Sequence, residues 1–258
     1  MDHDEVLALF DRQLRREAPA DSPGARVERD GPVVRQVGGP DDWNGVLWSG
    51  LDESTAGPAI AAQVRYFAGL GRDCEWKLYA HDRPADLGDR LRAAGFVPEP
   101  PESLMVAPVR DLATDADPPP GVRLVPVTGP AGVELVVRVH EAVFGTSATR
   151  MRHRLLARLA QDPDSLVMTV AMAGDTPVSA ARMELTPGKD FAGLWGGGTL
   201  PAWRGRGIYR ALVARRAEIA AARRVRYLQV DATVQSSPIL RRLGFAVLGT
   251  TTPYVRRA

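Results

Sequence analysis

Apolar residues recur at two different intervals along this chain, and the way those intervals alternate predicts an α/β protein. From 131 to 144 they fall at helical spacing, with Val133, Val136, Val137 and Val143 on one face and Gly145 as the stop. A second, arginine-rich helix is predicted at 149–161. Residues 166–173 and 177–185 read as strands joined by Gly174-Asp175, a hairpin signal. A further strand runs from about 191 to 200, and its consecutive Gly196, Gly197 and Gly198 predict a bulge or splay. Helical spacing returns at 208–223, where Ile208, Ala211, Leu212 and Ile219 share a face. Strands at 226–231, 245–248 and 253–256 follow, with a short helix at 238–243 stopped by Gly244. A short strand at 122–127 precedes the whole set.

The N-terminal part of the chain repeats much of that order. A helix is predicted at 6–16, strands near 26–28, 33–37 and 46–49, a helix at 59–70, a strand at 75–80, a helix at 86–94 and a strand at 103–108. Residues 111–121 (DLATDADPPPG) carry three consecutive prolines and no apolar periodicity, as a stiff linker would. The expected organisation is therefore a domain over 1–110, a linker over 111–121 and a second domain over 122–258. The best local match between the halves pairs Leu91-Arg92-Ala93-Ala94-Gly95-Phe96 with Leu240-Arg241-Arg242-Leu243-Gly244-Phe245. With the shared element order, it reads as a divergent internal duplication.

Composition narrows the class of protein. The chain has 258 residues, 45% hydrophobic and 25% charged, as expected of a globular protein. No charge-free apolar run is long enough to span a bilayer, and the acidic start Met1-Asp2-His3-Asp4-Glu5 is unlike a signal peptide, so no membrane partner is expected. Cys74 is the only cysteine, which excludes intrachain disulfides and cysteine-rich metal sites, and no metal is expected; a reducing cytoplasm fits. The net charge of +2 hides an asymmetry: residues 122–258 hold 20 basic and 9 acidic side chains, the remainder 13 and 22. A basic half draws an anionic ligand. Its arginines are spread over helices without interleaved aromatics, which argues against nucleic acid.

The chemistry concentrates where strand 191–200 runs into helix 208–223. Between them lies Pro201-Ala202-Trp203-Arg204-Gly205-Arg206-Gly207. Such a loop leaves backbone N–H groups pointing outward at a helix N-terminus, where the helix dipole adds positive charge. Arg204 and Arg206 add two full charges, and Gly205 and Gly207 leave the approach open. This is an anion cradle whose most natural cargo is a diphosphate. The equivalent first-half position, near 51–58, has no arginine and two carboxylates, Asp52 and Glu53, which would repel a diphosphate. One anion site per chain is expected.

Residues 201–208 resemble the acetyl-CoA signature of the GNAT N-acetyltransferase superfamily, [Gln/Arg]-x-x-Gly-x-[Gly/Ala], with Arg204 at the first position and Gly207 at the fourth. Leu243-Gly244-Phe245 resembles the superfamily's second recurring block. The likeness covers about 122–258, and the first half resembles a degenerate copy. The implied fold is α/β (α+β): a tandem GNAT arrangement, each with a mixed, mostly antiparallel sheet flanked by helices, and splayed central strands in the C-terminal copy. The implied cosubstrate is acetyl-CoA. Backbone N–H groups of Gly205, Arg206, Gly207 and Ile208 would hold its diphosphate with Arg204 nearby, while Leu200 and its neighbours Gly198 and Thr199 would pair with the pantetheine arm. Tyr209 and Ser237 complete the cofactor-side set. The chain departs from the pattern twice. Tyr209 stands where the motif has Gly or Ala, and Leu240 stands where many members carry a tyrosine acid.

The implied reaction is transfer of the acetyl group to a primary amine of a small molecule by direct attack in a ternary complex. It needs a polarised carbonyl, a neutral amine and a protonated leaving thiolate. For the base, Glu141 at the end of helix 131–144 comes first and Glu184 second; His140 and His153 lie nearby. Tyr254, Tyr209 and Ser237 are the available acids. The alternatives are a non-catalytic acyl-CoA-binding or regulatory protein, or an acyltransferase using another acyl-CoA or a protein amine. The expected assembly is a monomer or homodimer.

Overall fold

Residues 1–258 are described by a computed structural model, and their contacts divide them into two compact units. One unit comprises Met1–Met105, Asp231–Pro238 and Val247–Ala258, the other Val106–Val230 and Ile239–Ala246. These divisions do not follow the boundaries at 110 and 122 suggested by the proline-rich segment: two C-terminal pieces join the N-terminal unit.

The first unit begins with α1 (His3–Phe10), whose amino end is closed by the Asp2 carboxylate accepting the Asp4 and Glu5 N–H groups; a single π-helical segment, Asp11–Arg16, prolongs it. Then come β1 (Arg26–Asp30), β2 (Val33–Val37), β3 (Gly45–Ser49), α2 (Ala56–Gly69), β4 (Cys74–Tyr79), α3 (Leu87–Ala93), the two-residue β5 (Val97–Pro98) and β6 (Glu102–Pro108), whose last three residues belong to the second unit. The second unit continues with β7 (Val122–Pro126), α4 (Pro130–Phe144), α5 (Thr149–Gln161), β8 (Leu166–Ala173), β9 (Thr176–Leu185), β10 (Phe191–Thr199), α6 (Ile208–Ala222), β11 (Tyr227–Ala232), whose last two residues belong to the first unit, and α7 (Ser237–Arg242), which the division crosses after Pro238; β12 (Ala246–Arg256) belongs to the first unit from Val247 onward. The two strands expected at 245–248 and 253–256 are one uninterrupted strand, because Gly249 and Pro253 are accommodated inside the extended backbone.

Strand order is β1-β2-β3-β4-β12-β6 in the first unit and β11-β10-β9-β8-β7 in the second. Each unit contains the same sequence of pairings. A hairpin (β1–β2, β8–β9) is followed by an antiparallel strand whose register shifts (β3 after Val34, β10 between Trp195 and Gly198), then by a parallel strand reached through a helix (β4, β11). The matched hexapeptides also close in the same way. Gly95 and Gly244 take positive φ, +87° and +101°, and the next N–H turns back to the start of the segment, Phe96 to Leu91 and Phe245 to Leu240, each at 3.0 Å. Both leucines are fully buried.

The first unit's core gathers Val33, Val46, Ile60, Phe67, Trp76, Leu91 and Tyr254. In the second, β8 and β9 are covered on both faces. Met168, Val170 and Ala180 pack with Val133 and Val136 of α4 and Leu155 of α5, while Ala171, Val178 and Ala181 pack with Ile208 and Leu212 of α6. No helix is long and apolar enough to cross a membrane.

Candidate functional site

The amino end of α6 is not compensated by any side chain of its own. Gly207 caps it at φ +86°, with no side-chain cap and no acidic residue in the first turn. Gly205 is also left-handed, at +73°. Both angles are strained for a residue with a Cβ, which explains why glycine recurs at this spacing. The loop's backbone bonds run from Trp203 N–H to Leu200, from Arg204 N–H to Pro201, and next from Ala211 to Gly207. The N–H groups of Gly205, Arg206, Gly207 and Ile208 therefore remain for an external acceptor. Arg204 is held beside them by its Nε donating to the Thr199 carbonyl (3.1 Å), and Arg206 lies over the Trp203 ring at 4.8 Å.

Behind the loop, β10 is distorted at its triple glycine. Gly196 adopts φ +58°, and the register with β9 shifts between Trp195 and Gly198. The parallel pairing of β10 with β11 spans only Phe191–Gly193 against Tyr227–Gln229. Beyond it the two strands part, freeing backbone groups of 194–199. The three glycines are needed for space as well as for bending. A Cβ on Gly196 would lie 2.8 Å from an Arg182 guanidinium nitrogen, one on Gly197 would lie 2.9 Å from the Tyr209 ring, and one on Gly198 would lie 3.1 Å from Val143. Ser179 fastens the far side of the bulge, its Oγ donating to the Gly198 carbonyl (2.7 Å) and meeting the Thr199 hydroxyl (2.8 Å). Leu200 N–H donates to Val178 at 2.9 Å, so Leu200 is tied into the sheet.

The sequence-derived cofactor set Gly198, Thr199, Leu200, Arg204, Gly205, Arg206, Gly207, Ile208 and Tyr209 runs from the bulge of β10 through the loop into the first turn of α6, whereas Ser237 belongs to the other unit. Tyr209 is turned inward against Gly197, and its phenol interacts with Arg216, so burial raises its pKa while that guanidinium lowers it. Arg216 is itself buried, donating to the carbonyls of Leu212 (3.0 Å) and Arg182 (3.3 Å), and its remaining terminal nitrogen has no partner.

The expected bases are already engaged. Glu141 is exposed and its Oε1 accepts the Ala148 N–H (3.0 Å), closing the turn between α4 and α5. Glu184 is clamped by Arg158 (2.9 Å) and Arg182 (3.2 Å); burial alone would raise its pKa, but the two guanidinium charges carry it below the usual carboxylate value. Tyr254 lies in the first unit's core on β12, its hydroxyl against Gly88. Leu240 is wholly buried. His140, near the end of α4, is the group the sequence undervalued. Its ring packs on Phe144 at 4.6 Å, Phe144 reaches Gly198, and its buried Nδ1 has no partner. Burial and then the Arg182 charge lower its pKa, favouring the neutral imidazole, with Glu141 acting weakly the other way. No periodicity could have marked it.

The first unit presents a different end to its equivalent helix. The loop ahead of α2 folds on its own carboxylate, Asp52 taking the N–H groups of Ser54 and Thr55. Asp231, near the end of β11, receives the Lys77 ammonium beside Glu75 and Glu102.

A family model described as the acetyltransferase (GNAT) family matches residues 134–245. No curated protein sequence matches the chain. Among solved structures, a GCN5-related N-acetyltransferase from Kribbella flavida is similar at TM-score 0.70 and 18% identity, over 99% of this chain and 94% of that one. A functionally unknown conserved protein from Staphylococcus epidermidis has TM-score 0.70 at 12% identity, over 94% and 96%. A tandem GNAT protein from the clavulanic acid biosynthesis pathway has TM-score 0.60 at 14% identity, over 92% and 84%. At such identities the likeness is one of fold. The glycine-arginine loop and the parted strands both lie inside the segment, 134–245, that the acetyltransferase (GNAT) family model matches.

Proposed function

We propose that the second unit transfers the acetyl group of acetyl-CoA to a primary amine of a small molecule, and that the first unit is a degenerate copy without a diphosphate site. The carrying observation is the pairing of unengaged N–H groups from Gly205 to Ile208 with a bulged β10 that parts from β11. The loop would hold the diphosphate, and the backbone groups freed at 194–199 would orient and polarise the thioester. The neutral His140 imidazole takes a proton from the incoming ammonium. The amine nitrogen then bonds to the carbonyl carbon, the carbon–sulfur bond breaks, and CoA departs as a thiolate that takes up a proton, while the new amide nitrogen gives up its second proton to the group that protonated the thiolate. Tyr209, turned inward against Gly197 of the bulge, is the phenol that would supply the thiolate's proton. The two carboxylates of the loop ahead of α2, Asp52 and Glu53, support a single site per chain.

The engagement of Glu141 and Glu184 favours a second reading, a non-catalytic acyl-CoA binder. A thermal-shift titration with acetyl-CoA tests the premise common to both: binding to the folded state must raise the melting temperature with ligand concentration. Release of free CoA with a panel of primary amines then separates enzyme from binder. Stabilisation without CoA release from any amine would leave the binder.

A further inference from the structure

The face of β9 that meets α4 and α5 gathers arginines around one carboxylate, Glu184. Arg182 is the hub. Its Nε donates to Glu184 at 3.2 Å, one terminal nitrogen lies 3.4 Å from the Met151 sulfur, and the same nitrogen sits over Gly196 in the bulge. Arg158 takes the other oxygen of Glu184 at 2.9 Å and is completed by the Ser165 hydroxyl and carbonyl. Arg154, one turn earlier on α5, is half-buried and pairs with no carboxylate, yet its charge is felt at both Arg182 and Glu184. Arg182 and Arg158 thus share the Glu184 carboxylate, and Arg154 stands near them without a carboxylate of its own. A fourth, Arg216, is buried beneath the strand and bonds to the Arg182 carbonyl.

Concentrating uncompensated arginines at a partly desolvated site costs free energy, and such a site is best satisfied by an anion. The diphosphate cradle does not absorb this charge. Gly196 and Gly197 direct their vacant Cβ positions to different neighbours, Arg182 for the first and Tyr209 of α6 for the second. The cluster therefore lies with His140, Val143 and Phe144 beside the bulge, where an incoming amine would stand. Guanidinium donors in a planar fork match a carboxylate's two oxygens.

Resting on the transferase reading above, we infer that Arg182 and Arg154 bind a carboxylate of the acceptor, so that the acceptor is an amino acid or a similar amino-carboxylate and not a polycation. Arg158 and Glu184 serve to orient Arg182. A carboxylate on the acyl donor would offer the same chemistry, and the test separates the two sources.

The test compares three amino acids with their decarboxylated amines: L-phenylalanine with phenethylamine, L-leucine with 3-methylbutylamine, and L-tryptophan with tryptamine. Each is assayed for CoA release from acetyl-CoA, by wild type, Arg154→Gln and Arg182→Gln. A charge-assisted bond contributes enough for about a tenfold or larger kcat/KM preference for the acid in at least one pair. That preference should collapse in both variants. The acid-to-amine ratio cancels any effect of the substitutions on His140 or on the amount of folded protein. Absence of acid preference in every pair, or a preference unchanged in both variants, overturns the inference. So does a preference located in the donor, seen as Arg154-dependent use of succinyl-CoA over acetyl-CoA with phenethylamine. If acetyl-CoA stabilises the protein but no amine releases CoA, the transferase reading has failed on its own. Calorimetric titration of L-phenylalanine against phenethylamine at saturating CoA then still decides the carboxylate site: acid-selective binding lost in Arg154→Gln upholds it, and equal or absent binding overturns it.

Discussion

Lys77 donates its ammonium to the Asp231 carboxylate, joining residues 154 positions apart in sequence inside one compact unit. Only two of the 33 basic residues are lysines, and this one is 19% exposed against 1% for its partner's side chain. Burial alone would lower the Lys77 pKa, but Asp231 and then Tyr79 and Glu75 hold it raised. Removing one member of a buried pair strands the other. Lys77→Met should cost about 3–5 kcal/mol in urea denaturation, and Lys77→Met with Asp231→Leu should cost much less. Equal losses in the two proteins would show that the pair itself contributes little.

The loop that opens α6 should respond to backbone strain and not to crowding. A Cβ on Gly205 meets nothing within 4 Å, yet its φ of +73° disfavours any L-side chain. Gly205→Ala and Gly207→Ala should each cost on the order of 1–2 kcal/mol of stability and weaken acetyl-CoA binding by tilting the N–H groups away. The concentration of acetyl-CoA giving half-maximal thermal shift is the measurement. An unchanged value in both variants would place the diphosphate elsewhere.

Two first-unit carboxylates should give stability opposite dependences on pH. Burial, and then the charge of Asp231, push Glu102 up to about 7, with Lys77 pulling back. Between the ordinary carboxylate value and about 7 the unfolded chain has lost this proton while the folded chain keeps it, so stability falls as pH rises through that window. Glu102→Gln should flatten the decline in urea midpoint between pH 5 and 7.5. Asp52 is the reverse case. Its bonds to Ser54 and Thr55 lower its pKa to about 2, so its contribution is present above the ordinary carboxylate value and is lost as pH falls towards 2. Asp52→Ala should remove that acid sensitivity.

His140→Gln should lower kcat by about 10²–10⁴-fold while leaving the acetyl-CoA thermal shift intact. Because burial and the Arg182 charge lower its pKa, the acid limb of kcat/KM should lie below the ordinary imidazole value. Arg182→Gln removes a positive neighbour and should move that limb to higher pH. A limb that stays in place in Arg182→Gln would mean that another group titrates.

Much of this architecture was legible in the sequence because it is local. Gly145, Gly95 and Gly244 stop helices where the chain needs a left-handed residue, and the consecutive glycines at 196–198 announced the bulge. The glycine-arginine loop could be read for the same reason, since glycine spacing alone exposes its backbone groups. Side-chain chemistry was less accessible. Glu141 and Glu184 stood out as carboxylates, but only tertiary packing shows one bound to the Ala148 N–H and the other held by arginines from α5 and β9. His140 acquires its character from burial and from Arg182, which lies 42 positions away. The fate of β12 was hidden as well, because nothing in an alternating pattern says which strand it will pair with.

That last pairing has a consequence for how the protein is made. Thr251–Arg256 hydrogen-bond along Cys74–Tyr79, and Tyr254 enters the core built from Val33, Ile60 and Trp76. During synthesis the residues up to 105 emerge first, but β4 has an open edge and its core a missing ring until residue 256 has left the ribosome. Such long-range closure is slow and leaves an unpaired strand exposed in the meantime. The half of the molecule translated first is thus the half completed last, and a nascent chain stalled before β12 would be a target for chaperones.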